Sequence, residues 1–566
     1  MLQPDPEAVR ELSQKLKCQP ITAAVLANRN IKTQSDARHF LKASLSNLRP
    51  PASLKDTDAA VKRIYDAITG NQKILIFGDY DVDGITATVV LLNFLRYVGA
   101  DVTYYIPHRI NEGYSIQPRH ISHYARPNQF DLIITADCGS SSHQAVAAAN
   151  KAGIDMVITD HHNIGEDLPP ALAVINPKRH DCQAGLQNLA GVGVAFFLLI
   201  CLRTYLREKG FWQKRQEPNL KSYCDLVALG TVADMVPLVE ENRILCKAGL
   251  DLISTGHRPG LTALAEASGI RNDTLDAEDI AFRLAPRLNA AGRMDHAARA
   301  VELLTTQDAG YAATAAQTLN QLNQKRQQLE KGTLAGIEEY LAINPSLLRQ
   351  RSLVLSQDGW HAGLLGIVAS RIMERYYRPV VLIATEDGIG KGSARSIAGI
   401  NLYDALAECR QYLESFGGHS MAAGLKIRRE NIADFQNAFK NAIRDRAGSE
   451  DLLPMLNIDG ELDFAAISAG LIDELESLMP YGAGNPEPIF VSSDVRVVSS
   501  KILGQHHRRM VLRQSSRPGT PSFQAIHFNV DDRSAREKRF AKMAFKLRWN
   551  RWKDSKTAQI VVEDLQ

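Results

Sequence analysis

Six carboxylates and two adjacent imidazoles stand where this sequence could do chemistry. GDYDVDG (78–84) holds Asp79, Asp81 and Asp83, ADCGSS (136–141) holds Asp137, Asp160 precedes His161 and His162, and GTVADMVPL (230–238) holds Asp234. Carboxylates gathered in one place raise each other's pKa and do not all stay ionised without cations. An oxygen-rich set joined by one or two His suits Mn²⁺ or Mg²⁺, with Mn²⁺ favoured wherever nitrogen enters the shell. Two such ions about 3.5–4 Å apart clamp a phosphoryl group and generate a hydroxide nucleophile. A single D-x-D after a strand is most often a helix cap or a surface turn, and Asp-His-His alone says little more. Convergence of the segments is what decides between the two.

The elements that precede these residues predict that convergence. KILIF (73–77), DVTYYI (101–106), DLIITA (131–136), IDMVIT (154–159) and LAVIN (172–176) are short apolar runs, with helical stretches such as 86–99 and 143–152 between several of them. That alternation predicts a largely parallel sheet with helices on its faces. The carboxyl ends of parallel strands share one crevice, where ligands bind. KILIF runs into Asp79–Asp83, DLIITA into Asp137 and IDMVIT into Asp160–His162, so three strands deliver acidic or imidazole groups to that crevice.

Helices dominate from 190 to about 343, and the proline-free stretch 313–341 reads as one long connecting helix. A second, smaller α/β unit follows, with SLVLS (352–356), helix 361–376, PVVLIA (379–384) and helix 430–446. It reads as a substrate clamp. Gly417 and Gly418 allow close backbone approach to a phosphate, and His419 can donate to it. Ser393 and Arg395 offer a hydroxyl and a guanidinium fork suited to a terminal phosphate. After PYGAGNPEP (480–488) the chain alternates as strands do, with Phe545, Leu547 and Trp549 facing one way and Lys546 and Arg548 the other. This pattern predicts a small nucleic-acid-binding β-barrel of the OB type. Between Val491 and Ile560 there are 16 Lys and Arg against 5 Asp and Glu, a local charge of +11 where the whole chain carries +3. A basic end on an acidic body points to a polyanion bound there.

The divisions expected are an N-terminal helical segment (1–50), a catalytic domain (51–265), a helical linker (266–345), the clamp domain (346–450) and the barrel (455–566). A chain of 566 residues with 45% hydrophobic and 23% charged residues is neither disordered nor fibrous. Its longest uncharged apolar run, Leu189 to Leu202, is 14 residues, short of the roughly 20 that span a bilayer. MLQPDPEAVR lacks a secretory pattern, and seven cysteines with no C-x-x-C pair fit a reducing compartment. The expectation is a cytoplasmic protein without membrane contact.

GDYDVDG, ADCGSS, DHH and GTVADMVPL, in this order, resemble the four motifs of the DHH phosphoesterase superfamily. GKGSARSI (390–397) and FGGHSMAAGL (416–425) resemble its DHH-associated domain. NAAGRMDHA (289–297), WHAGLLGIVASR (360–371) and PYGAGNPEPIF (480–490) resemble its bacterial branch of single-strand-specific 5′→3′ exonucleases, and the likeness runs from about residue 50 onward. The resemblance implies that Asp81, Asp83, Asp137, His161 and Asp234 hold two metal ions, Asp137 bridging them, while His162 faces the scissile phosphate. It implies a 5′-phosphate contact for Arg109, with Arg293 a candidate of the same kind. Many members carry a ligand His where this chain has Phe77. Either Asp79 supplies an oxygen in its place, or that ion binds weakly.

The leading expectation is a metal-dependent exonuclease that takes single-stranded DNA by its 5′ end. It would release 5′-mononucleotides through a channel too narrow for a duplex, in recombination and repair. The alternatives are a small-substrate phosphodiesterase acting on oligonucleotides or cyclic dinucleotides, and a non-catalytic DNA-binding scaffold. The extra C-terminal region argues against the first and the intact carboxylate motifs against the second. Single-strand-binding protein and a recombination helicase are the expected partners of a monomeric enzyme.

Overall fold

The computed structural model describes all 566 residues except 271–274, 447–451, 505, 516–518, 531–536 and 553–554. Five strands form the first sheet: β1 (Lys73–Gly78), β2 (Asp101–Tyr105), β3 (Leu132–Ala136), β4 (Asp155–Thr159) and β5 (Ala173–Ile175). All neighbours are parallel, in the order β2-β1-β3-β4-β5. Residues 74–78 of β1 and all of β3 are buried, because helices cover both faces. The strand order reverses between β1 and β3, and this switch point is where open α/β sheets bind ligands. Gly78 lies beside Ala136 in the register, so Asp79 and Asp137 leave the sheet level with each other.

Three of this domain's helices bear on the site: α1 (Val82–Tyr97), α2 (Gly191–Glu208) and α3 (Cys224–Ala233). Their apolar faces share one core with the sheet through residues such as Ile76, Val89, Leu92, Phe197 and Leu226. After α4 (Ala285–Met294) comes α5 (Ala309–Ile343), 35 residues or about 52 Å long. The Asp308 side chain accepts from the Tyr311 N–H and caps its start. Ala312, Ala316 and Leu319 of α5 pack into the first core, while Ile337 and Leu341 pack into the second α/β unit. One helix thereby spans the cleft between the two.

The second sheet has the order β6-β7-β8-β10-β9, built from β6 (Leu353–Asp358), β7 (Val380–Glu386), β8 (Ile389–Arg395), β9 (Leu413–Gly418) and β10 (Ala422–Arg428). Only β6 and β7 run parallel. Helices α6 (Leu365–Tyr376) and α7 (Ile432–Arg446) pack against this sheet.

The C-terminal strands β11 (Gly460–Glu461), β12 (Phe490–Leu503), β13 (His507–Gln514), β14 (Ser522–His527), β15 (Arg539–Trp552) and β16 (Ser555–Leu565) include a closed five-stranded barrel. The pairing runs β12-β13-β14-β16-β15 and returns to β12 where Phe490 meets Phe545. With β14 and β16 parallel, this is the OB arrangement. The N-terminal helices are not a free-standing segment. Leu12, Val25 and Leu26 share the barrel's core with Phe464, Phe545 and Leu547, and Glu474 accepts from Thr22 Oγ1 at 2.5 Å.

One expectation needs correction here. Phe545 and Leu547 do point into the barrel, but the opposite side of β15 is not a free basic groove. Lys546 pairs with Glu563 at 2.9 Å, and Arg548 with Glu487 and with Glu278 at 3.0 Å. Counting charge along the sequence misses partners such as Glu278 and Glu487, which lie outside the counted stretch. Arg496, Lys501, Arg509 and Arg513, on β12 and β13, make no ion pair among the described residues. Arg517, Arg533, Arg536 and Lys553 lie outside the described residues. No helix among the described residues is long and apolar enough to cross a membrane.

Candidate metal centre

The turn after β1 delivers three carboxylates within five residues. Asp81 caps α1, its Oδ1 accepting from Gly84 N–H at 3.1 Å, so the first helical turn aims Asp83 back toward the strand ends. Both Asp83 oxygens are held by the N-terminus of α2, accepting from Gly191 N–H at 2.6 Å and Val192 N–H at 2.9 Å. Residue 191 has to be glycine, since a Cβ there would fall 2.3 Å from Asp137 Oδ1. Asp137 itself takes a left-handed backbone at φ 64°, with its N–H on Thr159 O at 2.9 Å, and so turns its carboxylate inward. Asp234 arrives from another direction, as the C-cap of α3.

These groups form two nests that share Asp137. His161 Nε2 lies 3.3 Å from Asp137, 3.5 Å from Asp234 and 3.7 Å from Asp83. Asp79, Asp81 and Asp137 offer oxygens that all lie within 4.8 Å of one another. The first nest has an imidazole nitrogen, whereas the second is built of oxygen alone. Phe77 explains the difference, because its ring turns away and stacks on Tyr105 with centroids 5.5 Å apart. Asp79 faces the nest instead.

Divalent cations fit these residues. Asp79 Oδ1, Asp137 Oδ1 and both nitrogens of His161 are buried with no hydrogen-bond partner. An orphaned buried polar atom costs about 1–3 kcal/mol, so this many at one point calls for a ligand. Burial, with Asp81 next, pushes Asp83 up to about 7, and burial, with Asp83 next, pushes Asp234 up to about 9. Burial and Asp83 likewise hold Asp137 well above the usual carboxylate range. Burial pulls His161 down to about 3, leaving a neutral imidazole ready to ligate.

A stability prediction follows from these shifts. Unfolded carboxylates titrate near 4, so between about pH 4 and 9 the metal-free fold binds more protons than the unfolded chain. Those protons leave as pH rises, and metal-free stability falls with them. Cations that take the protons' place abolish the penalty. The Tm gain on adding Mn²⁺ to EDTA-treated protein is therefore larger at pH 9 than at pH 5, and calorimetry showing the opposite trend would count against the nests.

Asp160, counted above among the crevice carboxylates, does not face the nests. It accepts from Ser140 N–H at 2.9 Å, His161 N–H at 2.8 Å and His162 N–H at 3.1 Å, and its Oδ1 meets His162 Nδ1 at 2.8 Å. Burial pulls the His162 pKa down, but the hydrogen bond and charge of Asp160 outweigh it and set the imidazole at about 9. Asp160 thus fixes a cationic His162 beside Asp137, 3.7 Å away. The sequence reading also passed over Asn176, whose Nδ2 donates to Ser140 Oγ at 2.8 Å and to the His162 carbonyl at 2.9 Å. Its place just past β5 was the available signal.

Across the cleft, α6 and β8 set a guanidinium beside two hydroxyls. Arg395 donates to Ser370 Oγ at 3.1 Å and to Ser393 Oγ at 3.2 Å. Arg109 lies over the Tyr80 ring at 4.5 Å, and Arg293 donates to the Gly363 carbonyl at 2.7 Å. Burial first, then Arg109, lowers the pKa of both Arg293 and Arg395, so the three guanidinium charges lie within electrostatic reach of one another. None has a carboxylate partner among the described residues. Gly417 and Gly418 end β9, Gly418 at φ 148° with no room for a Cβ against Ala422 O. The turn presents His419, which feels the charges of His162 and Lys178.

A parallel-sheet domain with two cation nests at its switch point, faced by a smaller α/β domain, defines the DHH class of metal-dependent phosphoesterases. Residues 73–231 match the DHH family, N-terminal domain, residues 349–445 the DHHA1 domain and residues 458–564 the RecJ OB domain. The single-stranded-DNA-specific exonuclease RecJ of Dickeya dadantii is 38% identical over 99% of this chain and 98% of its own. A crystal structure of Thermus thermophilus RecJ in complex with Mn²⁺ superposes with TM-score 0.83 at 31% identity, covering 100% of this chain and 78% of that one. Its Mg²⁺ complex gives TM-score 0.78 at 29% identity, covering 100% and 77%. The chain belongs to the RecJ family of exonucleases.

Proposed function

We propose that this protein is a metal-dependent, single-strand-specific 5′→3′ DNA exonuclease that releases 5′-mononucleotides. Asp81, Asp83, Asp137, His161 and Asp234 hold two divalent cations, Mn²⁺ or Mg²⁺, and Asp79 completes the oxygen-only nest. When bound, the cations polarise the phosphodiester and lower the pKa of the attacking water. The chain's own residues do the rest. His162, kept cationic by Asp160, faces the scissile phosphate and stabilises the charge that develops there. Gly417, Gly418 and His419 close on the strand from the second domain.

The observation that carries the polarity is the arginine cluster. A terminal phosphate carries more charge than an internal diester, and three guanidinium groups without a carboxylate partner among the described residues answer that charge. Arg109 and Arg395 with Ser393 take the 5′-phosphate and Arg293 supports it, one nucleotide before the bond that is cut. Arg496, Lys501, Arg509 and Arg513, which make no ion pair among the described residues, give the barrel a track for the strand beyond the cleft. The small-substrate alternative leaves that barrel without a role. Cytoplasmic location, a monomeric state, a part in recombination and repair, and recruitment by single-strand-binding protein and a recombination helicase belong to this reading.

Arg395→Ala tests it. We expect the preference for 5′-phosphorylated over 5′-hydroxyl strands to fall by about 10- to 100-fold, the worth of a charged hydrogen bond, with Mn²⁺ affinity unchanged. A wild-type ratio in the mutant would show that Arg395 does not read the end.

A further inference from the structure

The carboxyl edge of the first sheet sets out its polar groups in strand order. Arg109 follows β2, Asp79–Asp83 follow β1, Asp137 follows β3, Asp160–His162 follow β4 and Lys178 follows β5. Neighbouring strands are about 4.8 Å apart, so the strands that lead to these two cationic residues flank the nests roughly 19 Å apart. The bracket has a direction. Arg109 lies in electrostatic reach of Asp79, in the oxygen-only nest, whereas Lys178 lies in reach of Asp234 and His161, in the other.

Lys178 is built into place. Asn176 Oδ1 accepts from the Lys178 N–H at 2.8 Å, and the same side chain donates to Ser140 and to the His162 carbonyl. The loop after β5 is thereby tied to the loops carrying Asp137 and His162. The Lys178 side chain is half-buried, and its ammonium makes no ion pair or hydrogen bond among the described residues. A lysine on a solvated rim usually has no fixed neighbours, but the backbone of this one is pinned through Asn176 to the His162 loop, and its charge reaches His419 of the second domain.

We propose that Lys178 binds the phosphate immediately 3′ of the scissile one, on the strand that stays bound after each cut. The inference rests on the polarity proposed above. With the 5′-phosphate at Arg109, Ser393 and Arg395 and the scissile phosphate over the nests, the strand continues past Asp234 toward Lys178. Lysine suits this position as a point charge that any internal diester satisfies, whatever the base. After hydrolysis the contact holds the shortened strand while the mononucleotide leaves.

A 5′-phosphorylated dinucleotide has a terminal and a scissile phosphate and nothing beyond, whereas a trinucleotide has the third. The test measures kcat/KM on both substrates, with Mn²⁺ saturating, for wild type, Lys178→Ala, Lys178→Gln and Lys178→Arg. In the Ala and Gln variants the trinucleotide-to-dinucleotide ratio should fall about 10- to 100-fold, and Arg should restore part of it. A trinucleotide with an uncharged methylphosphonate at the third phosphate should cost wild type the same factor and cost Lys178→Ala no more. An unmoved ratio overturns the proposal, and so does an equal loss on both substrates, which would place Lys178 on the scissile phosphate. The wild-type trinucleotide products separate the two levels. Release of the 3′ nucleotide first defeats the polarity reading, whereas 5′ release with an unmoved ratio in Lys178→Ala defeats this inference alone.

Discussion

Asp137→Asn lowers nuclease activity by at least about 10³-fold, equivalent to some 4 kcal/mol of barrier, while the protein stays folded. Both nests draw on this one carboxylate, so a single change touches both. Asn keeps the size of the side chain and tolerates the left-handed backbone at φ 64°, where Ala would add strain of about 1–2 kcal/mol. The fold has little to lose, because Asp137 Oδ1 makes no hydrogen bond and sits among like charges. Near-normal activity in a well-folded Asp137→Asn protein, with thermal unfolding as the control, would remove the basis for two cations at one site.

Chelation has the second large effect. EDTA should suppress hydrolysis to below about a thousandth of the initial rate, since the cations supply most of the charge stabilisation the nests are shaped for. Mn²⁺ should restore the rate at lower concentration than Mg²⁺, because one nest contains an imidazole. The nest built only of Asp79, Asp81 and Asp137 gives Mn²⁺ no such advantage. Restoration is therefore expected in two steps of different metal selectivity, and a single step common to both metals would argue against two unlike nests.

Much of this was legible in the sequence, for a specific reason. In a parallel sheet the residues just past each strand meet in one crevice, so finding KILIF, DLIITA and IDMVIT also located Asp79–Asp83, Asp137 and His161–His162. Asp234 was less accessible, since it caps a helix and only motif resemblance placed it at the site. Asp160 reads as one more acidic ligand, yet its oxygens satisfy three backbone N–H groups, a fact that lies in the turn geometry. Lys178 obeys the strand-end rule as well, but a lone lysine after Asn-Pro carries no pattern of its own. The β15 face was misread because alternation gives the direction of a side chain and says nothing of its partner. Glu278 and Glu487 reach Arg548 from distant segments of the chain.

A two-cation centre that works from a captured 5′ end is open to one direct experiment. A 5′-phosphorylated single strand, labelled at its 5′ or its 3′ end, is digested in Mn²⁺, in Mg²⁺ and in EDTA. The 5′ label is expected to appear at once as a mononucleotide with either metal, the 3′ label only after the strand has been consumed, and EDTA is expected to stop both. Early release of 3′ label, or undiminished digestion in EDTA, would contradict such a centre.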